Sequence, residues 1–302
     1  MFPGSSIGSS VWLLTSRLQV RVLPGEPDIR RRFVGSAFSI SSCLFRVMPG
    51  VILTFICSLL FFIPAAHGSE RLLTDRFLAY TIKTFDYNQD GIVIKLKYPE
   101  MAGIDRPYRS INRQIRKSML TIRFPGKVTN QAFGEQKDFV RGVKRFIMRN
   151  NFKGYEFSSD ADVMYNAGNI FTVKIINYEM PYGAANGLNS LTYLNFDAGT
   201  GKGLNINDCF SDPGRQELAK RGKEFFVEKV KADDVLDLLD NQFLDRFYIP
   251  ANFAVTDRGI EFAYQQYEVG PRPLGMPVFT IPHGEIKRLI DKSCTLKQYL
   301  YQ

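Results

Sequence analysis

Residues 155–197 read YEFSSDADVMYNAGNIFTVKIINYEMPYGAANGLNSLTYLNFD, and the fold class turns on them. Three runs rich in β-branched and aromatic residues, over 157–165, 169–179 and 188–196, are separated by Asn166-Ala167-Gly168 and by the glycine-bearing stretch 183–187. Short runs bounded by such turn residues predict consecutive antiparallel strands. Upstream, 77–86 and 91–98 predict a hairpin with its turn at Asn88-Gln89-Asp90-Gly91, because Ile92, Ile94 and Leu96 alternate with Val93 and Lys95. Two segments of helical period lie between the hairpin and the three-strand run. Ile111, Ile115 and Met119 share one face of 106–121, and Phe139, Val143, Phe146 and Ile147 recur along 132–149. Pro125-Gly126 separates them.

Downstream, Asp197-Ala198-Gly199-Thr200-Gly201-Lys202-Gly203 is a turn. Helical period follows over 215–231 and 233–239. Strands over 253–256 and 260–264 flank Asp257-Arg258-Gly259, a hairpin signal. A last strand covers 278–281, and a closing helix covers 284–292 with Ile286, Leu289 and Ile290 turned inward. Antiparallel runs with helices between them predict an α+β fold, antiparallel sheets packed with helices. We expect two linked subdomains, 69–154 and 155–302.

The N-terminal part reads differently. Residues 51–63 form an uncharged apolar run, followed by Pro64 and the small-x-small triplet Ala66-His67-Gly68. That is the form of a signal peptide over 48–68, cleaved before Ser69. The apolar stretch 51–66 is shorter than the roughly 20 residues that span a bilayer. Cleavage is therefore favoured over retention as an anchor, and no stable membrane span is expected afterwards. Cys57 has no lipobox around it. Residues 1–47 lack helical or strand periodicity, and the codons of 18–24 can spell a TTCGA loop with complementary arms, as in a transfer RNA gene. We read 1–47 as spurious upstream translation, with the start near Met48 or at an alternative codon such as that of Leu44 or Val47. The protein is then periplasmic or secreted.

The whole chain carries a formal net charge of +9. The segment before Ser69 is arginine-rich, so the exported part is only mildly basic, and its Lys and Arg are spread along it without a basic tail. Nucleic acid is not expected as a partner, since export argues against it. An anionic envelope polymer is compatible with this charge, and an ordinary solvated surface is the plainer reading. After cleavage only Cys209 and Cys294 remain. In an oxidising compartment two cysteines suggest one disulfide, although spacing alone leaves two free thiols open.

Catalytic signatures are sparse. His283, between Pro282 and Gly284, is the only histidine after Ser69, and a capping or surface role suits it better than catalysis. One histidine with two distant cysteines does not make a zinc site, and it removes the usual base for a serine or cysteine nucleophile. We expect neither metal nor cofactor. Gly199–Gly203 (GTGKG) lacks Walker spacing. Asp197, Asp208, Glu261 and Glu268 are the carboxylates that could serve a glycan hydrolase, but nothing in the sequence pairs them.

Several stretches in order carry a resemblance: Tyr98-Pro99 with Ile111-Asn112, then PYGAANG, YLNFDAGTGKGLNINDCF, TDRGIEFAYQQYEVGPRPLG and VFTIPHGEIKRLI. Across 77–290 the chain resembles the paired extracellular domains of unknown function in RsiV-type anti-sigma factors, which also precede the catalytic domain of PdaC-type peptidoglycan deacetylases. NFD-x-x-TGK-x-L and YEVGP-x-x-x-G are the more specific elements. The resemblance implies an α+β ectodomain concerned with the cell wall, and in RsiV-type members such an ectodomain binds lysozyme. This chain lacks the sigma-binding and deacetylase parts, and Tyr182-Gly183-Ala184-Ala185 replaces a Gly-Gly-Ala-His-like turn.

Tyr182, Asn186, Asn189, Tyr264, Tyr267, Glu268 and Arg272 are the candidate recognition residues, since Tyr and Arg combine large area with directional hydrogen bonds. For each of them alone, a role in the fold is the simpler reading, and Glu268 beside Arg272 reads as an ion pair or loop tether. The function we expect is a non-enzymatic envelope binding module for a cell-wall glycan or an envelope protein. A lysozyme-binding or lysozyme-inhibiting protein and a carboxylate-dependent envelope glycan hydrolase are the alternatives.

Overall fold

The computed structural model describes residues 77–126, 130–240 and 242–299. The segments read as upstream translation and signal peptide lie outside them. Leu72–Gln302 forms one compact unit, an α+β arrangement of antiparallel-rich sheets and helices.

The first hairpin joins β1 (Tyr80–Gln89) to β2 (Ile92–Met101). Gln89 pairs with Ile92, so the turn is the two residues Asp90 and Gly91, both at positive φ. Such a turn follows the right-handed twist of the strands, and Asp-Gly suits it because both residues tolerate left-handed backbone. Helix α1 (Arg106–Met119) follows, then the short pair β3 (Thr121–Ile122) and β4 (Gln131–Ala132), then α2 (Gln136–Asn150). The second helix starts later than its period suggests because Gln131 and Ala132 pair with Ile122 and Thr121.

Strands β5 (Tyr155–Ala167), β6 (Ile170–Pro181) and β7 (Leu188–Asp197) make the expected meander. Gly168 and Asn169, again at positive φ, close its first turn. The five-stranded sheet runs β1-β2-β5-β6-β7, and β2 pairs with β5 in parallel from Ile92↔Tyr155 to Lys97↔Asp160. The expected subdomain division at 154/155 therefore falls inside one sheet. The α1–α2 stretch acts as the crossover between two parallel neighbours, a role that local periodicity does not reveal.

After β7 come α3 (Ile206–Cys209), α4 (Asp212–Ala232), β8 (Phe253–Val255), β9 (Gly259–Ala263), β10 (Val278–Pro282), α5 (His283–Ile286) and α6 (Thr295–Tyr299). The last three strands form a second antiparallel sheet, ordered β10-β9-β8. Two expected helices shrink. Asp234 at φ 56° ends α4, and 233–239 keeps only a three-residue 3-10 turn, Leu236–Leu238. The 284–292 helix stops at Ile286, and Asp291 N–H donates to Cys209 O at 2.8 Å rather than continuing the helix ladder. Cys209 and Cys294 form a disulfide with Cα atoms 5.0 Å apart, which holds that end against α3. Closing so long a loop contributes roughly 4.5 kcal/mol through the unfolded chain in the chain-entropy model.

Two cores result. Ile94, Leu96, Phe157, Ile111, Phe139 and Phe146 belong to one, beneath α1 and α2. Phe226, Tyr264, Phe279 and their neighbours form the other, between α4 and the second sheet. The two sheets are joined by side-chain amides along the outer edge of β7. Tyr193 N–H donates to Asn252 Oδ1 at 2.8 Å, and Asn252 Nδ2 donates to Leu191 O at 2.9 Å. Asn195 Oδ1 accepts Val255 N–H at 2.9 Å, while its Nδ2 donates to Phe253 O at 2.7 Å. An edge strand exposes a row of backbone groups that template further pairing; the Asn252 amide occupies two of those on β7, and the Asn195 amide two of those on β8.

Candidate functional site

Two loops meet at the start of β7: residues 182–187, leaving β6, and residues 264–277, between β9 and β10. The second is fastened by consecutive glutamines. Leu191 N–H donates to Gln265 Oε1 at 3.2 Å, and Asn189 N–H donates to Gln266 Oε1 at 3.0 Å. The Arg272 guanidinium then donates to Asn186 Oδ1, so the tips of both loops are bonded to each other. Asn186 and Arg272 are thus bonded to each other, and Asn189, Tyr267 and Glu268 lie on the same two fastened segments.

Tyr267 is 54% exposed and sits at φ 68°. Left-handed backbone in a residue with a Cβ costs about 1–2 kcal/mol and persists only where neighbours enforce it. Here the enforcement is visible. Glu268 accepts the Gln265 N–H at 2.6 Å, and Glu268 N–H donates to Gln265 O at 3.1 Å, closing a tight turn around Tyr267. The Tyr248 hydroxyl donates to the same carboxylate at 2.6 Å. Tyr248 is itself 42% exposed, and burial together with the Glu268 carboxylate pushes its hydroxyl well above the usual tyrosine range.

Two candidates fall elsewhere. Tyr264 is fully buried: its ring packs against Phe226, Phe243 and Phe279, and its hydroxyl donates to Tyr248 O. It is a pillar under Tyr248 and cannot touch a ligand. Tyr182 leans the other way, its N–H donating to Gly154 O at 2.9 Å and its ring lying over Gly154, toward β5. Glu268 and Arg272 do not form the expected ion pair with each other; Glu268 is a loop tether, and Arg272 engages Asn186. Tyr248 escaped sequence reading because it lies outside every motif and periodic run.

The glycine motifs have structural reasons. Gly201, at φ 68°, lies so close to the first turn of α1 that a Cβ would come within 2.5 Å of Pro107 O. Its carbonyl accepts the Ser110 hydroxyl at 2.9 Å, so the GTGKG turn is seated on a helix. A Cβ on Gly270 would collide with Leu238 O.

Each candidate carboxylate has its own local tie. Asp197 accepts Thr200 N–H at 2.8 Å and the Thr295 hydroxyl at 2.8 Å, and Asp208 closes a capping box with Asn205. Glu261 accepts the Tyr193 hydroxyl. His283 contacts Thr256 O through Nε2 at 3.0 Å, tying α5 to the β8–β9 turn. Among the described residues, no group of three or more His, Cys, Asp or Glu side chains is placed to hold a metal ion, and no helix is long and apolar enough to cross a membrane. A cleft of about 230 Å³ adjoins the Arg272 loop, with Leu274 and Met276 on its wall and the Lys229–Asp233 ion pair at its rim. That is smaller than the several hundred Å³ usual for an enclosed small-molecule site.

Residues 208–284 match the family described as a protein of unknown function, DUF3298. Two solved DUF3298 family structures share the fold. One, from Bacteroides fragilis, is 16% identical, covers 72% of this chain and 96% of its own, and has a TM-score of 0.54. The other, from Pseudomonas aeruginosa, is 12% identical, covers 72% and 95%, and has a TM-score of 0.56. Among curated proteins none matches the chain.

Proposed function

We propose that this DUF3298-like protein is an exported, non-catalytic binding module of the bacterial envelope, and that its ligand is a cell-wall glycan gripped by the paired loops. One observation carries the reading: exposed Tyr267 and the Arg272–Asn186 pair lie on two loops bonded to each other and to β7, and exposed Tyr248 is bonded to Glu268 next to Tyr267. Aromatic rings with one polar end suit a partly wet interface, where a flat apolar face meets a sugar ring and hydroxyls bond at its edge. Backbone strain at Tyr267, a residue whose side chain is largely exposed, supports use of that ring. The separate ties on Asp197, Asp208, Glu261 and Glu268 favour binding over hydrolysis, because a glycosidase needs two carboxylates facing one bond.

The test is retention on purified sacculi, with and without muramidase digestion, of the chain beginning at Ser69. Arg272→Ala is expected to lower retention roughly tenfold or more, as loss of a central contact does. Tyr267→Asn separates fold from function, since asparagine tolerates left-handed backbone. It is expected to leave thermal stability equal or higher while retention falls by a similar factor. No retention of the unaltered chain would end the glycan reading. The same surface could instead meet a protein, and the RsiV-like resemblance makes lysozyme the partner to titrate. Binding there that Tyr267→Asn abolishes, with none to sacculi, would move the proposal to that partner. Against it, a basic protein gains no long-range steering toward lysozymes that are themselves basic.

A further inference from the structure

The sheet face opposite the second sheet is covered by α1 and α2, whose apolar residues enter one core with Ile94 and Phe157. Their outward faces are unlike ordinary solvated helix surfaces. On α1 the exposed residues Arg106, Arg109, Arg113 and Lys117 follow one another at three- and four-residue spacing, one stripe about 16 Å long. On α2 Lys137, Arg141, Arg145 and Arg149 recur every fourth residue, a second stripe about 18 Å long. Only Arg141 of these has an ion-pair partner among the described residues, Asp138.

Helix stability accounts only for Lys117 and Arg149, which sit in last turns where the dipole favours cations. Like charges four residues apart repel, and cations in a first turn oppose the helix dipole. The first turn of α1 contains no acidic residue. Two exposed apolar side chains adjoin the stripes in the chain, Ile104 being separated from Arg106 by exposed Asp105. Ile104, just before α1, is 85% exposed, and Met148, in the last turn of α2, is 79% exposed; they are the most exposed large hydrophobic side chains among the described residues.

We propose that the α1–α2 face docks on the surface of an anionic lipid bilayer. The stripes lie over lipid phosphates, which guanidinium groups bond in bidentate fashion, while Ile104 and Met148 enter the headgroup–acyl boundary. Basic residues alone would suit any polyanion. The projecting aliphatic groups select the bilayer, because a soluble polymer offers them no apolar phase. Docking leaves the chain peripheral to the membrane and is independent of the Tyr267 surface.

The experiment is vesicle co-sedimentation of the chain beginning at Ser69, which retains the whole compact unit Leu72–Gln302. Vesicles of phosphatidylcholine alone are compared with equal parts phosphatidylcholine and phosphatidylglycerol. Binding is expected on the anionic vesicles only, and it weakens as salt rises. Arg109→Gln with Arg113→Gln is expected to lower partitioning roughly 25-fold, about fivefold per charge, and Arg145→Gln with Arg149→Gln similarly. Met148→Ser lowers it further, and Tyr267→Asn leaves it unchanged. All these positions are exposed, so circular dichroism should report an unaltered fold. Equal binding to both vesicle types overturns the proposal. So does displacement by soluble polyphosphate combined with indifference to Met148→Ser, which would identify a polymer site.

Discussion

Glu179→Ala is expected to lower the unfolding free energy by about 4 kcal/mol, measured by urea denaturation, because it removes the acceptor of the buried Tyr155 hydroxyl and of two part-buried backbone N–H groups. Glu179 lies on β6 and is 1% exposed. Its carboxylate accepts the Arg123 N–H at 2.9 Å, the Phe124 N–H at 2.9 Å and the Tyr155 hydroxyl at 2.7 Å. The strap after β3 is thereby held down on the sheet. Arg123 also donates from its guanidinium to Ser118 O at 2.9 Å, which closes the end of α1. Glu179→Gln keeps a carbonyl oxygen for part of this set and is expected to lose about half as much.

The two variants also predict a pH dependence. Burial raises the Glu179 carboxyl above the ordinary glutamate range, and the Tyr155, Phe124 and Arg123 hydrogen bonds offset it only in part. The folded state therefore holds this proton more tightly than the unfolded chain does. Its stabilising contribution is complete below the unfolded value, near pH 4.3, and disappears as pH rises through the raised folded value. In that window the unaltered protein is expected to gain stability relative to Glu179→Gln as pH falls. A difference between the two that stays flat with pH would show that Glu179 does not titrate abnormally.

Asn195→Ala is the second large loss, about 3 kcal/mol. Asn195 is 3% exposed, and besides its two bonds to β8 it accepts the Thr172 hydroxyl at 3.0 Å. Removing the amide leaves Val255 N–H and Phe253 O unpaired at the seam between the sheets. The damage should be local in hydrogen exchange: Val255 N–H accelerates, whereas the amides of α2, which pack in the other core, keep their protection. Thr172→Val removes one of the three bonds and is expected to cost about 1 kcal/mol. Uniform acceleration across both cores would mean that the seam is not a separate unit.

Neither Glu179 nor Asn195 could be recognised in the chain. Each is one of several polar residues in its strand, and what singles it out is a partner 56 or 60 residues away. Tyr264 and Tyr267 make the same point at close range. They stand three residues apart in one motif, yet the first supports the core and the second projects from it. The basic stripes on α1 and α2 were open to inspection once those helices were predicted, but charge counted along the chain hides what charge mapped around a helix reveals.

The amino-acid sequence by itself determined the long strands, the turns around Asp90-Gly91 and Gly168, the inward faces of α1 and α2, and hence the α+β class. Those features depend on side-chain period and on which residues accept positive φ, properties that act within a few residues. Only the tertiary structure decided that β2 lies parallel to β5, that the 284–292 segment leaves its helix to bond Cys209, and that the Asn186 and Tyr267 loops meet. Each of those outcomes is a competition among distant partners for the same backbone groups and buried area, and the winner is set by the assembled fold.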